Sequence, residues 1–243
     1  MDYSFLQCGE GALTVHLGDG IDPAINRRVT ALQGAIDSAG LRGITDLIPA
    51  YADLTVCYDC TVISAKALQR QLRRLLDSLS VAGQDRRRVF RLPVCYGGDY
   101  GPDLDFVCHH SGLSAQEVIE LHSAPDYLIY MLGFLPGFAY LGGLDPRLHT
   151  PRLDSPRTCI PAGSVGIGGA QTGVYPLASP GGWQLLGRTP VSVFDRQQQE
   201  TILYRAGDLV HFVPISPAEY EEIARAVAAG TYTVQVEEVP VCD

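Results

Sequence analysis

The sequence predicts an α+β protein in two parts, a small α/β domain followed by a β-barrel. Helical and strand periodicities alternate over the first 88 residues, whereas short strand-like runs separated by Gly/Pro turns follow residue 127. A hydrophobic content of 46% over 243 residues is ample for packed cores without disulfides. We therefore predict an N-terminal domain over residues 1–88 and a barrel domain over residues 89–243.

The first part alternates between the two periodicities that distinguish strands from helices. Residues 13–17 repeat with period two, and Asp22-Pro23 predicts an N-cap followed by proline at the first helical position. Further strands are predicted over 44–49 and 53–58, and Ser64 caps a second helix. A strand over 89–94 completes the order βαββαβ, which is typical of a ferredoxin-like α/β domain.

The second part begins with two short helices and then becomes rich in strands. Pro102 and Gly112 bound the first helix, and Ser114 with Glu117 forms a capping box for the second. Strand-like runs separated by Gly/Pro turns predict a compact β-barrel, and they cover residues 127–134, 164–167, 173–175, 183–194 and 209–213. Ser216 caps a last helix, and residues 232–239 predict a terminal strand.

Composition excludes several classes of function. A net charge of −9 and a pI of about 5.1 argue against a nucleic-acid binder, whose affinity depends on a basic surface. The start of the chain lacks a basic segment followed by an apolar run, so no signal peptide is predicted. No stretch approaches the roughly 20 apolar residues of a membrane span. We expect a cytoplasmic protein with no membrane partner.

The counts of cysteine and lysine exclude further chemistry. Seven cysteines at irregular spacing indicate free thiols, and Cys57 and Cys60 lie three apart in a predicted strand, where they face opposite sides. We predict no metal site. The single lysine, Lys66, is not part of a Gly-Lys-Ser/Thr sequence or of a biotin-carrier pattern. The chain is therefore expected to carry neither a P-loop nor biotin.

Residues 131–190 have an unusual composition. They hold twelve of the 26 glycines and eight of the 16 prolines, together with four arginines and only two acidic residues. Barrel corners alone require many such turn residues, but close approach of the backbone to a ligand is an equal explanation. Because the arginine fork suits carboxylate and phosphate, the charge balance favours an anionic ligand.

Consecutive motifs in this region resemble one known family. They are Leu-Pro-Val-Cys-Tyr-Gly-Gly-Asp-Tyr-Gly-Pro-Asp (92–103), Gly-Phe-Leu-Pro-Gly-Phe (133–138), Ile-Pro-Ala-Gly-Ser-Val-Gly-Ile-Gly (160–168), Gln-Thr-Gly-Val-Tyr-Pro (171–176) and Ser-Pro-Gly-Gly-Trp-Gln-Leu-Leu-Gly-Arg-Thr-Pro (179–190). The chain resembles the family of 5-oxoprolinase B-type subunits, or KipI family, also called allophanate hydrolase subunit 1 and the carboxyltransferase subdomains C and D. This resemblance implies a cyclophilin-like β-barrel. One departure is Cys159, where relatives usually carry a basic residue.

The same segments supply the candidate site residues. Gln171 and Tyr175 flank Gly173 on an alternating run, so the three residues face one side and are placed to hold a lactam in the space beside the glycine. A buried Gln–Tyr pair is the competing explanation. Three arginines are candidates for stabilising phosphate or carboxylate charge, and they are Arg152, Arg157 and Arg188.

Four more residues allow both a functional and a structural interpretation. His122 is a candidate general acid or base near neutral pH, or a donor to the end of its helix. Phe138 either walls a pocket or fills the barrel. Trp183, the only tryptophan, and Ser164 are interpreted as a barrel anchor and a turn serine, since Ser164 lacks the Gly-x-Ser-x-Gly context of a nucleophile.

The resemblance implies a component of an ATP-dependent 5-oxoprolinase. With the homologous subunits C and A, such a protein would open the lactam 5-oxo-L-proline to L-glutamate, and ATP would be bound with a partner subunit. The chain alone is expected to be inactive. Two alternatives remain open: a KipI-like inhibitor of a sporulation histidine kinase, and a carboxyltransferase or allophanate-hydrolase-type subunit that works with a biotinylated partner in urea or amide metabolism.

Overall fold

The chain divides into two compact units. The computed structural model describes residues 3–79, 86–197 and 200–240, and the units are Met1–Asp85 and Arg86–Asp243. The first long strand of the second unit starts at Arg86, so the boundary predicted after residue 88 falls inside that strand.

The first unit is a four-stranded antiparallel sheet with two helices. Its elements are β1 (Ser4–Cys8), β2 (Ala12–His16), α1 (Pro23–Ala39), β3 (Ile44–Pro49), β4 (Asp53–Tyr58) and α2 (Ala65–Asp77). The sheet order is β1-β2-β4-β3, with antiparallel pairing throughout. Alternate residues of β2 and β4 pack against one face of each helix in a single apolar core that includes Leu13, Leu32, Leu54 and Leu72.

The predicted helix starts are confirmed by their caps. The carboxylate of Asp22 accepts hydrogen bonds from the amides of Ala24 at 2.6 Å and Ile25 at 3.3 Å, and Pro23 occupies the first turn of α1. The hydroxyl of Ser64 accepts the amide of Ala67 at the start of α2. These bonds satisfy amides that have no partner within the helix, and so fix where each helix begins.

The predicted order βαββαβ is wrong for this unit. The strand expected over 89–94 pairs in the second unit instead, and β1 occupies the sheet position beside β2. The observed order is therefore ββαββα. The sequence did not reveal β1 because its residues are mostly exposed, with only Phe5 half-buried, so the strand lacks a clear alternation of apolar and polar side chains.

The second unit is built around a closed β-barrel, as predicted. Its strands are β5 (Arg86–Tyr96), β6 (Tyr127–Leu132), β7 (Ala139–Gly142), β8 (Arg157–Ile160), β9 (Ser164–Gly168), β10 (Gln171–Val174), β11 (Ser179–Gly181), β12 (Gln184–Arg188), β13 (Leu209–Ile215) and β14 (Gln235–Pro240). The order β12-β9-β10-β7-β6-β13-β5 closes through pairing of β5 with β12. Strand β14 extends the sheet from β5, and β8 pairs with β11.

In the described part of this unit, three α-helices accompany the barrel, and they are α3 (Leu104–Ser111), α4 (Ala115–Ser123) and α5 (Pro217–Ala228). The capping boxes predicted at Ser114 and Ser216 are both present. The predicted strand over 183–194 is confirmed only for Gln184–Arg188, and β7, β8 and β11 were not predicted because each spans only three or four residues between turns. No helix in the described part of the chain is long and apolar enough to cross a membrane.

Candidate functional site

An aromatic cluster covers one face of the barrel wall formed by β9, β10 and β12. Phe138, Tyr175 and Trp183 contact one another edge to face, with ring centroids 5.5 to 6.0 Å apart. Ile160 and Leu185 complete this buried group. Edge-to-face pairs are favourable because the positive edge of one ring meets the negative face of another, so the cluster holds its rings in fixed orientations.

Two glycines give the rings room to lie against the strands. A side-chain carbon on Gly168 would overlap the indole of Trp183, and one on Gly173 would lie 3.3 Å from the Trp183 ring and 3.6 Å from that of Phe138. The space expected beside Gly173 for a lactam is therefore filled by aromatic rings, and that expectation is wrong. Gly173 allows close packing instead.

The alternation predicted along β10 is confirmed. Thr172 and Val174 face the barrel interior, whereas Gly173 and Tyr175 face the aromatic cluster. Gln171, at the start of the strand, is half-buried. Tyr175 is almost fully buried, and its hydroxyl lies near the backbone of Trp183. Of the three residues predicted to hold a lactam, Tyr175 and Gly173 thus belong to a packed wall.

Arg152 lies at the solvent side of the cluster. Its guanidinium stands over the Trp183 ring, 5.8 Å from the centroid, in a cation–π arrangement. The residue is exposed, and it makes no ion pair with any carboxylate that the structure describes. Its donor fork is therefore available to an incoming anion, as the role predicted for it requires.

Arg157 is held by Asp103, a residue that the sequence did not single out. Its Nη2 donates to Oδ1 of Asp103 at 2.6 Å, and its Nη1 donates to the carbonyl of Trp183 at 3.3 Å. Oδ2 of Asp103 accepts the amide of Leu185 at 2.6 Å. Burial raises the pKa of Tyr175, and the nearby charges of Arg152 and Arg157 oppose that rise, so both guanidinium groups lie near the phenol.

Arg188 does not join this group. It ends β12 opposite Ser164 of β9, and its guanidinium lies near the hydroxyl of Tyr220 on α5. Trp183 immediately precedes β12, so the aromatic cluster lies at the opposite end of that strand from Arg188. The structure thus separates the three predicted arginines into an Arg152–Arg157 pair beside Trp183 and a distant Arg188.

His122 lies inside the barrel, fully buried. Its Nε2 lies 2.8 Å from the hydroxyl of Thr172, and its Nδ1 lies 2.8 Å from the hydroxyl of Tyr96. Its ring stacks on Phe212 with the ring centroids 4.9 Å apart. The Thr172 hydroxyl donates to the carbonyl of Gly166, so it accepts from His122 Nε2–H, and Nδ1 then accepts from Tyr96. Burial lowers the pKa of His122 to about 3. The expectation that it titrates near neutral pH is wrong.

The remaining candidates fit this division. Phe138 is 2% exposed and forms the centre of the aromatic cluster, and Cys159 is exposed on β8, where it adds no charge. Asp103 was missed although it ends the motif over 92–103, because an Asp before a helix predicts a cap.

Within residues 3–79, 86–197 and 200–240, no group of three or more His, Cys, Asp or Glu side chains is placed to hold a metal ion.

Comparison with known proteins identifies close relatives. The family described as carboxyltransferase domain, subdomain C and D, matches residues 3–204. The B-type subunit of 5-oxoprolinase from Bacillus subtilis (strain 168) is 42% identical over 228 residues, covering 90% of this chain and 95% of that protein. The B-type subunit of 5-oxoprolinase from Escherichia coli O157:H7 is 46% identical over 208 residues, covering 85% and 93%.

Among solved structures, that of TTHA0988 is similar with a TM-score of 0.75 and 40% sequence identity. The alignment covers 84% of this chain and 40% of the solved one. The present chain therefore spans about two fifths of the length of that solved chain.

Proposed function

The chain belongs to the carboxyltransferase domain family, subdomains C and D, and from this premise we propose that it is one component of an ATP-dependent 5-oxoprolinase. With partner subunits of types C and A it opens 5-oxo-L-proline to L-glutamate at the expense of ATP. The observation that carries the proposal is the 42% and 46% identity to two proteins named as B-type subunits of 5-oxoprolinase, over nearly their whole length.

The Arg152–Arg157 pair supports an anionic substrate. A 5-oxoproline molecule bears one carboxylate, and a lactam activated by phosphorylation bears phosphate as well, so the reaction needs fixed positive charge. Arg152 offers an unpaired donor fork above Trp183, whereas Arg157 is oriented by Asp103. Fixed donors that need no reorganisation stabilise developing negative charge more effectively than mobile ones.

The same geometry supports a shared active site. The aromatic cluster is packed rather than hollow, and its free arginine lies at the surface, so a substrate held there is covered only when another polypeptide closes over it. A site that excludes water strengthens every electrostatic contact within it. We therefore propose that ATP and the lactam are enclosed between this chain and a partner subunit, and that the chain alone is inactive.

The test is ADP release from ATP, measured with and without 5-oxo-L-proline, by the chain alone and mixed with its candidate partner subunits. Lactam-dependent ADP release that requires this chain is expected. Arg152→Gln in the mixture should raise the KM for the lactam, whereas Arg147→Gln should not, because Arg147 is an exposed arginine already paired with Asp145 at 2.7 Å. A verified complex without lactam-dependent turnover would overturn the proposal and favour the kinase-inhibitor or carboxyl-transfer alternatives.

A further inference from the structure

Two buried polar atoms belong to directly opposed residues at the far end of the barrel wall. Ser164 begins β9 and Arg188 ends β12, and the two residues are directly opposed in the antiparallel register. Opposed residues of such a pair project their side chains from the same face of the sheet. Oγ of Ser164 and Nε of Arg188 are both buried, and neither has a hydrogen-bond partner among the residues that the structure describes.

Such a pair is unusual energetically. Buried polar groups in proteins are hydrogen-bonded in the great majority of cases. A buried donor left without an acceptor lowers stability, because it has lost its hydrogen bonds to water. Ser164 is fully buried, so its hydroxyl has no access to bulk water. Two neighbouring donors of this kind indicate a place where an acceptor belongs.

A cleft is lined by Gly163 and Thr189, the chain neighbours of the two donor residues. It has a volume of about 200 Å³ and is lined by Gly163, Tyr175, Pro176 and Thr189 from the barrel and by Tyr220 and Ala224 from α5. A side-chain carbon on Gly163 would lie 3.5 Å from Cγ of Arg188 and would overlap the carbonyl of Thr189. The glycine therefore lets the arginine stem lie against the floor of this cleft, which we call the α5 cleft.

Helix α5 lines the α5 cleft with residues that are at most half-buried. None of its residues is buried. The hydroxyl of Tyr220 lies near the Arg188 guanidinium, and its ring centroid lies 4.5 Å from that of Tyr100. The Tyr100 hydroxyl donates to Glu221 at 3.1 Å. Elements with few buried apolar contacts open at low free-energy cost. A shift of Tyr220 would free the Arg188 guanidinium beside it.

We propose that the α5 cleft binds a compact oxyanion, a carboxylate or a phosphate, which accepts hydrogen bonds from Arg188 and from the hydroxyl of Ser164 when Tyr220 moves aside. The planar arginine fork matches both groups, and a charged acceptor forms stronger hydrogen bonds than a neutral one. The site is distinct from the Arg152–Arg157 pair, and the inference does not depend on the proposed oxoprolinase activity.

The test uses the full chain labelled with nitrogen-15 and follows the Arg188 Nε–H and Gly163 amide signals by NMR. Inorganic phosphate and acetate are titrated separately, with sodium chloride at matched ionic strength as the control. A saturable shift with one oxyanion and none with chloride is expected. Saturation by phosphate alone would identify a phosphate site, and saturation by acetate alone a carboxylate site.

Two serine variants provide the decisive comparison. Ser164→Ala removes one donor and should weaken binding at least about 5-fold, as the loss of a hydrogen bond to a charged group predicts. Ser192→Ala should leave affinity unchanged, because Ser192 lines the same cleft but its hydroxyl already donates to the carbonyl of Phe194 at 2.7 Å. Arg188→Gln should abolish binding. Equal affinity in the two serine variants, or shifts that never saturate, would overturn the proposal even if Arg188→Gln fails to fold.

Discussion

The carboxylate of Asp103 accepts a hydrogen bond from Nη2 of Arg157 at 2.6 Å, and its other oxygen accepts one from the amide of Leu185 at 2.6 Å. Asp103 occupies the N-cap position of α3, but its side chain makes no bond to that helix. A residue type that normally caps a helix is thus used to connect α3, β12 and an arginine beside the aromatic cluster. Its carboxylate positions Arg157 by accepting from one edge of the guanidinium.

Replacing Asp103 with Asn should destabilise the protein by about 1 to 3 kcal/mol, because a mostly buried arginine loses its charged acceptor. Urea denaturation followed by circular dichroism measures the change. Glu238→Gln is the matched control: it breaks an exposed pair with Arg86 and should leave the midpoint unchanged. Equal midpoints for Asp103→Asn and the parent protein would show that the pair contributes nothing to stability.

His122 should make the protein sensitive to acid. Burial lowers its folded-state pKa to about 3, whereas the unfolded value is near 6.5. The folded state therefore favours the neutral ring, so stability is full above pH 6.5 and falls as the pH decreases toward 3. The loss reaches roughly 4 to 5 kcal/mol at the lower limit, from 1.36 kcal/mol per pKa unit.

Urea midpoints measured between pH 7.5 and 4 test this expectation. His122→Gln has no titrating group at this position and should flatten the dependence on pH, although it lowers stability at pH 7.5. His149→Gln, which removes an exposed histidine, should retain the parent slope. A parent slope that survives in His122→Gln would assign the acid sensitivity to other groups.

The sequence predicted elements well wherever a local signal exists. Asp22-Pro23 and Ser216 fix helix starts through their own side chains, and both predictions are confirmed. The prediction of strand order failed where pairing is long-range. Strand β1 is mostly exposed, and the strand over 89–94 pairs with β13, more than a hundred residues away. The arrangement of β-strands depends on contacts that no local pattern encodes.

The candidate site shows the same division. Arg152 could be selected from charge alone, and the structure leaves its guanidinium exposed above Trp183. The neutral state of His122 could not be predicted, because it results from burial against Phe212 and from hydrogen bonds to Tyr96 and Thr172 that come from distant strands. Solvent exclusion at a position is a property of the tertiary structure, so residue type does not determine a pKa.

Gly168 should be intolerant of even one added methyl group. A side-chain carbon there would overlap the indole of Trp183, so Gly168→Ala must displace the ring or the strand. Overpacking of this kind costs about 1 to 3 kcal/mol. Because Trp183 is the only tryptophan, its fluorescence reports the displacement directly, and we expect a shift of the emission maximum together with a lower urea midpoint.

Gly34→Ala provides the contrasting substitution. Gly34 lies within α1 with no atom near the position of an added carbon, so alanine should stabilise the helix by about 0.5 to 1 kcal/mol and leave the emission of Trp183 unchanged. Identical emission spectra and equal midpoints for Gly168→Ala and the parent would contradict the packing described for the cluster.

Two phenylalanines of one loop should respond oppositely to truncation. Phe138 is 2% exposed at the centre of the cluster, whereas Phe134 is 65% exposed and has a left-handed backbone with φ of 66°. A bulky residue in that conformation costs about 1 to 2 kcal/mol, which glycine avoids at an entropic cost of about 0.5 to 1 kcal/mol. Phe134→Gly should therefore leave stability unchanged or slightly higher, although it removes a whole aromatic ring.

Phe138→Ala, in contrast, should cost about 3 to 5 kcal/mol, because it opens a cavity between Tyr175 and Trp183. Urea denaturation of the two variants measures both effects, and Trp183 fluorescence should change strongly only for Phe138→Ala. A loss of several kcal/mol in Phe134→Gly would mean that the exposed ring packs more extensively than its edge-to-face contact with Phe138 at 5.6 Å indicates. A stable Phe134→Gly protein would instead show that the aromatic ring at this strained backbone position is not needed for folding. Any defect in the reconstituted complex would then report on the surface contacts of that ring.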